Sequence, residues 1–383
     1  MSNYTKIINI IGSPINGGVQ NFLLAISSYD KKFKIERSII CLYSPKGNLK
    51  KEFIERNIKV YYCPTILKDK GRRPYFLWKK IRYLLGKIFF PISLYYIIIR
   101  TKAKVIICHE PKNLLEMVLL SKIISVRFVN HMHKIINYDK KIRFFTFIFN
   151  NSFFISDSSA LLKSNFNNSF LGKNIIENIP IITATSSLEK FLIKRKNNNR
   201  KNLRIGSIGR FNWEKNFEQV IEIAKLLKLK TDISFIISIV GSGPNFNHIN
   251  SLILQNKLEK NIILEGEKKN NDIINFLNNL DIYIQTSISE GSPLTIKEAM
   301  AASLPVISSN VGGIYNLIKH NFDGFLVEKN NTNEFVNMII KVTKMNIKEK
   351  SDLGDQARKS VLKRFSPETT ATQYSNYIKK VLQ

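Results

Sequence analysis

The chain reads as an α/β protein made of two open, parallel-sheet domains joined by a polar link. Three observations predict this. Short apolar runs rich in β-branched residues alternate with stretches of helical periodicity, most cleanly beyond residue 203. Glycine-bearing stops ("NGG", "GR", "GSGP", "EG", "EGSP") follow those runs. Between the two halves, "IKRKNNNRKN" (193–202) is too polar to pack a core, and a length of 383 residues suits two cores.

The first half opens on "MSNYTKIINIIGSP", whose apolar run covers only residues 7–11. Such a run suits a first strand and is too short for a secretory leader, so a cytoplasmic chain is expected. "ERSIICLY", "NIKVYYCP", "AKVIICHE" and "RFVNHMH" supply further strands, with helical pieces over 19–28 and 113–124. The second half begins with the strand "LRIGSIG" (203–209). Phe217, Val220, Ile221, Ala224 and Leu227 then mark one helix face. "ISFIISIV" (233–240), "NIILEG" (261–266), "DIYIQT" (281–286) and "LPVISS" (304–309) follow as strands, with helical segments between them. Their near-continuous apolar character marks a parallel sheet covered on both faces. The expected domains are 1–190 and 203–365. A C-terminal helix over 366–383, opening on Ser-Pro-Glu-Thr, would pack back on the first domain.

Lys and Arg number 59 against 29 Asp and Glu, a net charge of +30. The excess calls for an anionic partner: nucleic acid, a phosphorylated ligand or an anionic membrane surface. Nucleic acid explains the charge alone. The cations spread widely and form no RRM, KH or zinc-finger pattern, so no nucleic-acid partner is expected. Cys41, Cys63 and Cys108 lack C-x-x-C spacing and read as buried thiols, outside any disulfide or zinc framework.

Between Lys68 and Lys104 stand eleven Lys or Arg and one acid, Asp69, for a net +10. Arg72, Arg73, Lys79 and Lys80 are interleaved there with Tyr75, Phe76, Trp78 and Tyr83. "KIFFPISLYYIII" (87–99) follows, too short to span a bilayer, which takes about 20 residues. It is either a buried helix or strand, or part of a segment lying on an anionic membrane face.

In open α/β sheets ligands bind at the carboxyl ends of strands, so the glycine stops mark where chemistry belongs. "SIGRFNWEKNF" (207–217) places Gly209, Arg210 and Lys215 between a strand and a helix start. Glycine admits close backbone approach, and two cations can neutralise a diphosphate. Gly17 and Gly18 occupy the equivalent place after the first strand, where a plain turn reads equally well. Neither G-x-G-x-x-G nor G-K-[ST] occurs. "SEGSPLTIKEAMAASLPVI" (289–307) carries Glu290 and Glu298. They are either a solvated loop acid and a helix acid, or two groups that grip ligand hydroxyls.

"GRFNWEKN", "VGSGP" and "EGSPLTIKEAMAASLPVISSNVGG", in that order, with "DGFLV" (323–327) after them, resemble the C-terminal domain of glycosyltransferase family 4. The resemblance runs from about residue 203 to 327. It implies the GT-B fold, two facing Rossmann-like domains with an interdomain cleft, and retaining sugar transfer. It also implies site roles. Glu298 would hold ribose hydroxyls and Glu290 the transferred sugar, with Gly291 in the same turn. Leu294 and Thr295 N–H groups would meet the diphosphate of a UDP- or GDP-sugar. Arg210 and Lys215 would stabilise the departing nucleoside diphosphate, and His131 would lie near the sugar. His109 and His133 compete with His131, and each also reads as a satisfied structural histidine. Where the family has Ala-x-Gly-x-Pro, this chain has Ser303, which costs strain if its φ is positive.

No Asp-x-Asp occurs, so the metal-bound diphosphate site of the other major glycosyltransferase fold lacks its ligands. Metal-independent transfer without a cofactor is expected. The acceptor implied by the basic first domain is a polyprenyl-diphosphate-linked glycan at the inner membrane face. A GT-B epimerase or phosphorylase is the alternative.

Overall fold

The computed structural model describes residues 4–13, 18–42, 46–47, 49–63, 76–109, 124–132, 152–156, 176–178, 188–192 and 202–383. Gly17, Arg72, Arg73, His133, most of the 113–124 segment and nearly all of the 193–202 link lie outside them. The chain divides into two compact units, Met1–Ser186 with Pro367–Gln383, and Ser187–Ser366.

In the first unit, β1 (Thr5–Ile11), β2 (Ile35–Cys41), β3 (Lys59–Tyr62), β4 (Val105–Cys108), β5 (Arg127–Met132), β6 (Ser152–Ser156) and β7 (Ile176–Asn178) form one sheet. Their order is β3-β2-β1-β4-β5-β6-β7, and all pairs are parallel. Helices α1 (Gly18–Ser27), α2 (Asp30–Phe33), α3 (Lys50–Glu55) and α4 (Phe76–Thr101) accompany them. The period of two along β1 splits its side chains between two cores. Ile7 and Ile11 pack with Phe22 and Leu23 of α1, while Ile8 and Ile10 pack with Phe90, Leu94, Ile97 and Ile98 of α4. Cys41, Cys63 and Cys108 are buried free thiols, and burial pushes Cys41 and Cys63 up to about 12.

The 87–99 run is therefore helical, within a helix of 26 residues that carries Pro91, and Phe90, Leu94, Ile97 and Ile98 on one side of it are buried. Its other side exposes Phe89, Ile92, Tyr95, Tyr96 and Ile99. Among the described residues no helix is long and apolar enough to cross a membrane.

The second unit holds β8 (Leu203–Ile208), β9 (Phe235–Val240), β10 (Ile262–Gly266), β11 (Ile282–Gln285), β12 (Val306–Ser309) and β13 (Phe325–Val327), in the order β10-β9-β8-β11-β12-β13. Its pairs are also all parallel. Helices α5 (Phe217–Lys230), α6 (Phe246–Gln255), α7 (Asn270–Asn278), α8 (Leu294–Ala301), α9 (Thr332–Lys344) and α10 (Ile347–Phe365) connect and follow the strands. One core gathers Ile205, Ile237 and Ile284 with α5 and α9; another gathers Tyr283 and Val306 with α7, α8 and α10. A capping box of Asn346 and Glu349 starts α10, satisfying two backbone N–H groups reciprocally.

The last helix, α11 (Pro367–Leu382), leaves the second unit and belongs to the first. Tyr374, Tyr377, Ile378 and Val381 join Ile7, Ile11 and Phe22 in one core.

Candidate functional site

In the second sheet the strand order runs outward from β8 through β9 to β10, then resumes on the other side with β11. That reversal between β8 and β11 is a topological switch point, where the loops diverge and leave a crevice. The two loops that leave these strands are 209–216, with Gly209, Arg210 and Lys215, and 286–293, with Glu290 and Gly291.

They are tied to each other by backbone. Ile288 N–H donates to Glu214 O at 2.9 Å, and Thr286 Oγ1 donates to the carbonyls of Lys215 and Asn216 at 3.1 Å. Neighbouring glycines let further loops close on them. Gly241 has φ +146°, and an added Cβ would lie 1.8 Å from Gly209 O. Gly312 has φ +53°, its Cβ would meet Glu290 O at 1.8 Å, and Gly313 N–H donates to that same carbonyl at 3.0 Å. Only glycine fits such approaches. The space Gly209 leaves is filled by the Lys215 stem, since a Cβ there would lie 3.1 Å from Lys215 Cδ.

This packing brings Lys215 and Glu290 together. Lys215 Nζ donates to Glu290 Oε1, and both side chains are largely buried, at 18% and 11% exposure. The same oxygen accepts from Ser287 Oγ at 2.7 Å and Gln285 Nε2 at 3.0 Å. Gln285 ends β11 in the interior. Its Oε1 accepts from Tyr283 Oη at 2.7 Å and lies 3.5 Å from Thr295 Oγ1, while Nε2 also donates to Ser287 Oγ at 2.7 Å. Burial pushes the Tyr283 phenol up; the hydrogen bonds of Thr295 and Ile208 oppose this, and the charges of Glu290 and Glu298 reinforce it. The phenol therefore stays a donor.

Leu294 and Thr295 open α8, capped by Pro293 in extended conformation without a side-chain hydrogen bond. The first N–H groups of such a helix have no intrahelical acceptor, and the helix dipole favours an anion there. Glu298 is buried in the same helix, one turn beyond Leu294 and Thr295. Arg210 is exposed on the loop after β8, and Gly291 lies between Glu290 and the helix start.

In the first unit the switch point lies between β1 and β4. His109 follows β4 and His131 lies in β5; both are buried, with ring centroids 5.0 Å apart. His109 Nε2 lies 3.2 Å from Asn9 Oδ1, and His131 packs on Phe22 and Tyr374. Gly18 is the first residue of α1. Lys79 and Lys80 lie in the N-terminal part of α4.

Sequence reasoning missed Tyr283, Gln285 and Ser287. Part of their signal was available, because Tyr283 and Gln285 stand two apart on one face of a strand otherwise made of Ile282 and Ile284, with Ser287 two residues further on. Ser303 has φ +54°, the left-handed conformation that the serine-for-glycine departure made costly.

Residues 189–360 match the family described as glycosyl transferases group 1. The chain is similar to the UDP-Gal:alpha-D-GlcNAc-diphosphoundecaprenol alpha-1,3-galactosyltransferase of Escherichia coli, 37% identical over 140 residues, 36% of this chain and 35% of that protein. It is also similar to the amylovoran biosynthesis glycosyltransferase AmsK of Erwinia amylovora, 30% identical over 161 residues, 40% of this chain and 39% of that one. The chain thus spans well under half the length of these relatives. Among solved structures, a glycosyltransferase from Rickettsia africae superposes with a TM-score of 0.76 at 19% identity, covering 100% of this chain and 99% of that one. Anabaena HepE, solved with UDP-glucose, gives 0.71 at 17%, covering 98% and 100%. These likenesses show the GT-B fold.

Proposed function

From the premise that residues 189–360 belong to the glycosyl transferases group 1 family, we propose that this protein is a retaining, metal-independent glycosyltransferase. It moves a sugar from a UDP- or GDP-sugar to a polyprenyl-diphosphate-linked glycan in surface polysaccharide synthesis. The observation that carries this reading is the braced Glu290–Lys215 pair beside the open N-terminus of α8. The name of the Escherichia coli relative, which includes a diphosphoundecaprenol-linked acceptor, supports the acceptor class.

The chemistry follows from the residues. A diphosphate at Leu294 and Thr295 meets unshared N–H groups and a favourable dipole. An ammonium has three N–H groups, so Lys215 can hold Glu290 with one and offer others to a phosphate oxygen. Arg210 adds charge-assisted hydrogen bonds as negative charge gathers on the leaving group. The Glu290 carboxylate accepts from hydroxyls of the transferred sugar, and Glu298 from those of the ribose. Transfer proceeds on the front face, the departing phosphate taking the acceptor proton, so the anomeric configuration is kept. His131 is proposed to support the same reaction. Its burial makes a positioning role the direct reading of its surroundings.

Attachment to the inner membrane face is proposed to be peripheral. Support comes from the basic stretch with Arg72, Arg73, Lys79 and Lys80, and from the apolar side chains that α4 exposes. Co-sedimentation with anionic vesicles that weakens at high salt is expected; equal binding to neutral vesicles would contradict the electrostatic part.

The deciding experiment is a nucleotide-sugar panel with the purified protein, scoring nucleoside diphosphate release with and without a lipid-linked glycan. Acceptor-dependent release that survives EDTA, with a retained product by NMR, is expected. An inverted product, or epimerised sugar formed without acceptor, would overturn it.

A further inference from the structure

Gln285 is buried, at 1% exposure, in the last position of β11, a strand whose other residues, Ile282, Tyr283 and Ile284, join the apolar cores. Its hydrogen bonds allow a single orientation. A carboxylate only accepts, so the group facing Glu290 Oε1 at 3.0 Å must be the NH₂. Its second proton goes to Ser287 Oγ at 2.7 Å, whose own proton is then free to reach Glu290 Oε1 at 2.7 Å. The carbonyl is left to face donors, and finds Tyr283 Oη at 2.7 Å and Thr295 Oγ1 at 3.5 Å. One side chain therefore joins the acid paired with Lys215 to the first turn of α8.

We infer that Gln285 is a positioning residue for the reaction proposed above, holding Glu290 and Lys215 in register with Thr295 at the start of α8. The inference rests on that reading of the site. Without the amide, the carboxylate loses one of its three donors and its link to Thr295. Lys215 then pairs with a carboxylate that Ser287 alone steadies. Sugar and phosphate contacts would no longer be fixed relative to each other, and a misplacement of about 1 Å costs about a hundredfold in rate.

Two variants separate positioning from packing. Gln285→Leu keeps the volume of a buried position and removes both polar ends. Gln285→Glu keeps the shape and the Tyr283 contact, but its carboxyl must hold a proton to face Glu290. Ligand-free crystal structures of the wild type and Gln285→Leu come first. The Glu290 carboxylate is expected to shift relative to Thr295 in the variant, and an unmoved carboxylate overturns the inference whether or not any donor is turned over. In nucleoside diphosphate release, Gln285→Leu should lower kcat about tenfold to a hundredfold, with the donor KM changed far less. Gln285→Glu should be active at acidic pH and lose activity as pH rises and the new carboxyl gives up its proton. A Gln285→Glu profile that overlays the wild type, or a loss confined to KM, overturns the inference. If the wild type turns over no nucleotide sugar, the functional reading fails, and the crystal comparison still judges Gln285. Should Gln285→Leu not fold, Gln285→Glu carries both measurements, since it retains the shape of the native side chain.

Discussion

Two buried polar clusters, one in each unit, are built on opposite terms. Under Glu290 in the second unit, Tyr283, Gln285, Ser287 and Lys215 form a chain in which each donor finds an acceptor and three of them converge on one carboxylate oxygen. Beneath α11 in the first unit, Arg37 pairs bidentately with Asp30 at 2.7 and 2.8 Å. Yet Arg37 Nη1, Asn9 Nδ2 and Thr370 Oγ1 are buried without a hydrogen-bond partner among the described residues. Each such atom costs about 1–3 kcal/mol. The contrast teaches that the first cluster is over-determined to hold a geometry, whereas the second accompanies an apolar seam. Tyr377, Ile378 and Val381 supply the attraction there, and the polar atoms are carried along.

The first way to break this comparison is Arg37→Met. It leaves Asp30 without its partner in a largely buried place and should cost about 3–5 kcal/mol in urea unfolding. Replacing Asp30 with alanine as well should recover much of that loss. If the single and double variants are equally unstable, the ion pair is not what holds this edge of the first unit.

Glu290→Gln comes next. The amide keeps the shape but cannot accept from three donors as a carboxylate does. Turnover should fall at least about a hundredfold, or about 2.7 kcal/mol. Glu290→Ala should in addition lose stability, because Lys215, Ser287 and Gln285 are stripped of their acceptor. A Glu290→Ala protein as stable as the wild type would show that the cluster is less tightly held than its geometry states.

The thiols sharpen the comparison from the apolar side of the first unit. Cys41 and Cys63 are pushed up to about 12 by burial. The folded chain keeps their protons at pH values where the unfolded chain has released them. Their contribution is complete below the ordinary thiol value of about 9 and is lost as pH rises beyond it. By pH 10 each should cost about 1 kcal/mol, read as a falling urea midpoint that Cys41→Ala and Cys63→Ala relieve. A midpoint flat from pH 8 to 10 would contradict it.

The smallest effect belongs to Ser303→Gly. Relief of the left-handed backbone should raise stability by up to about 1 kcal/mol, offset in part by the lost Ser303–Asp355 contact at 3.4 Å. A lower Tm would mean that the side-chain contact outweighs the strain.

Much of the second unit was legible because its strands are continuous apolar runs closed by glycine, and parallel strands covered on both faces must be so. In the first unit β6 ("SFFIS") and β7 ("IEN") escaped notice, being three to five residues long and partly polar. The extent of α4 was hidden because an apolar run with a proline suits helix and strand alike. At the site, Glu290 and Lys215 stood out as residue types at strand ends, but their union did not. It depends on the loops after β8 and β11 closing on each other 75 residues apart in sequence. The role of Gln285, as distinct from its polar place in an apolar strand, was hidden for a related reason. A buried amide gains meaning only from partners that the fold supplies.

The passage of α11 into the first unit has a consequence for how the chain is made. Ile7, Ile11 and Phe22 share a core with Tyr374, Tyr377 and Val381, so the core that α1 begins on that side of the amino-terminal sheet stays incomplete until α11 has left the ribosome. The second unit, continuous from Ser187 to Ser366, is under no such restraint and can close while synthesis proceeds. The part of the chain made first is thus the part finished last, and its apolar face is the one that quality-control machinery would meet on a stalled or truncated product.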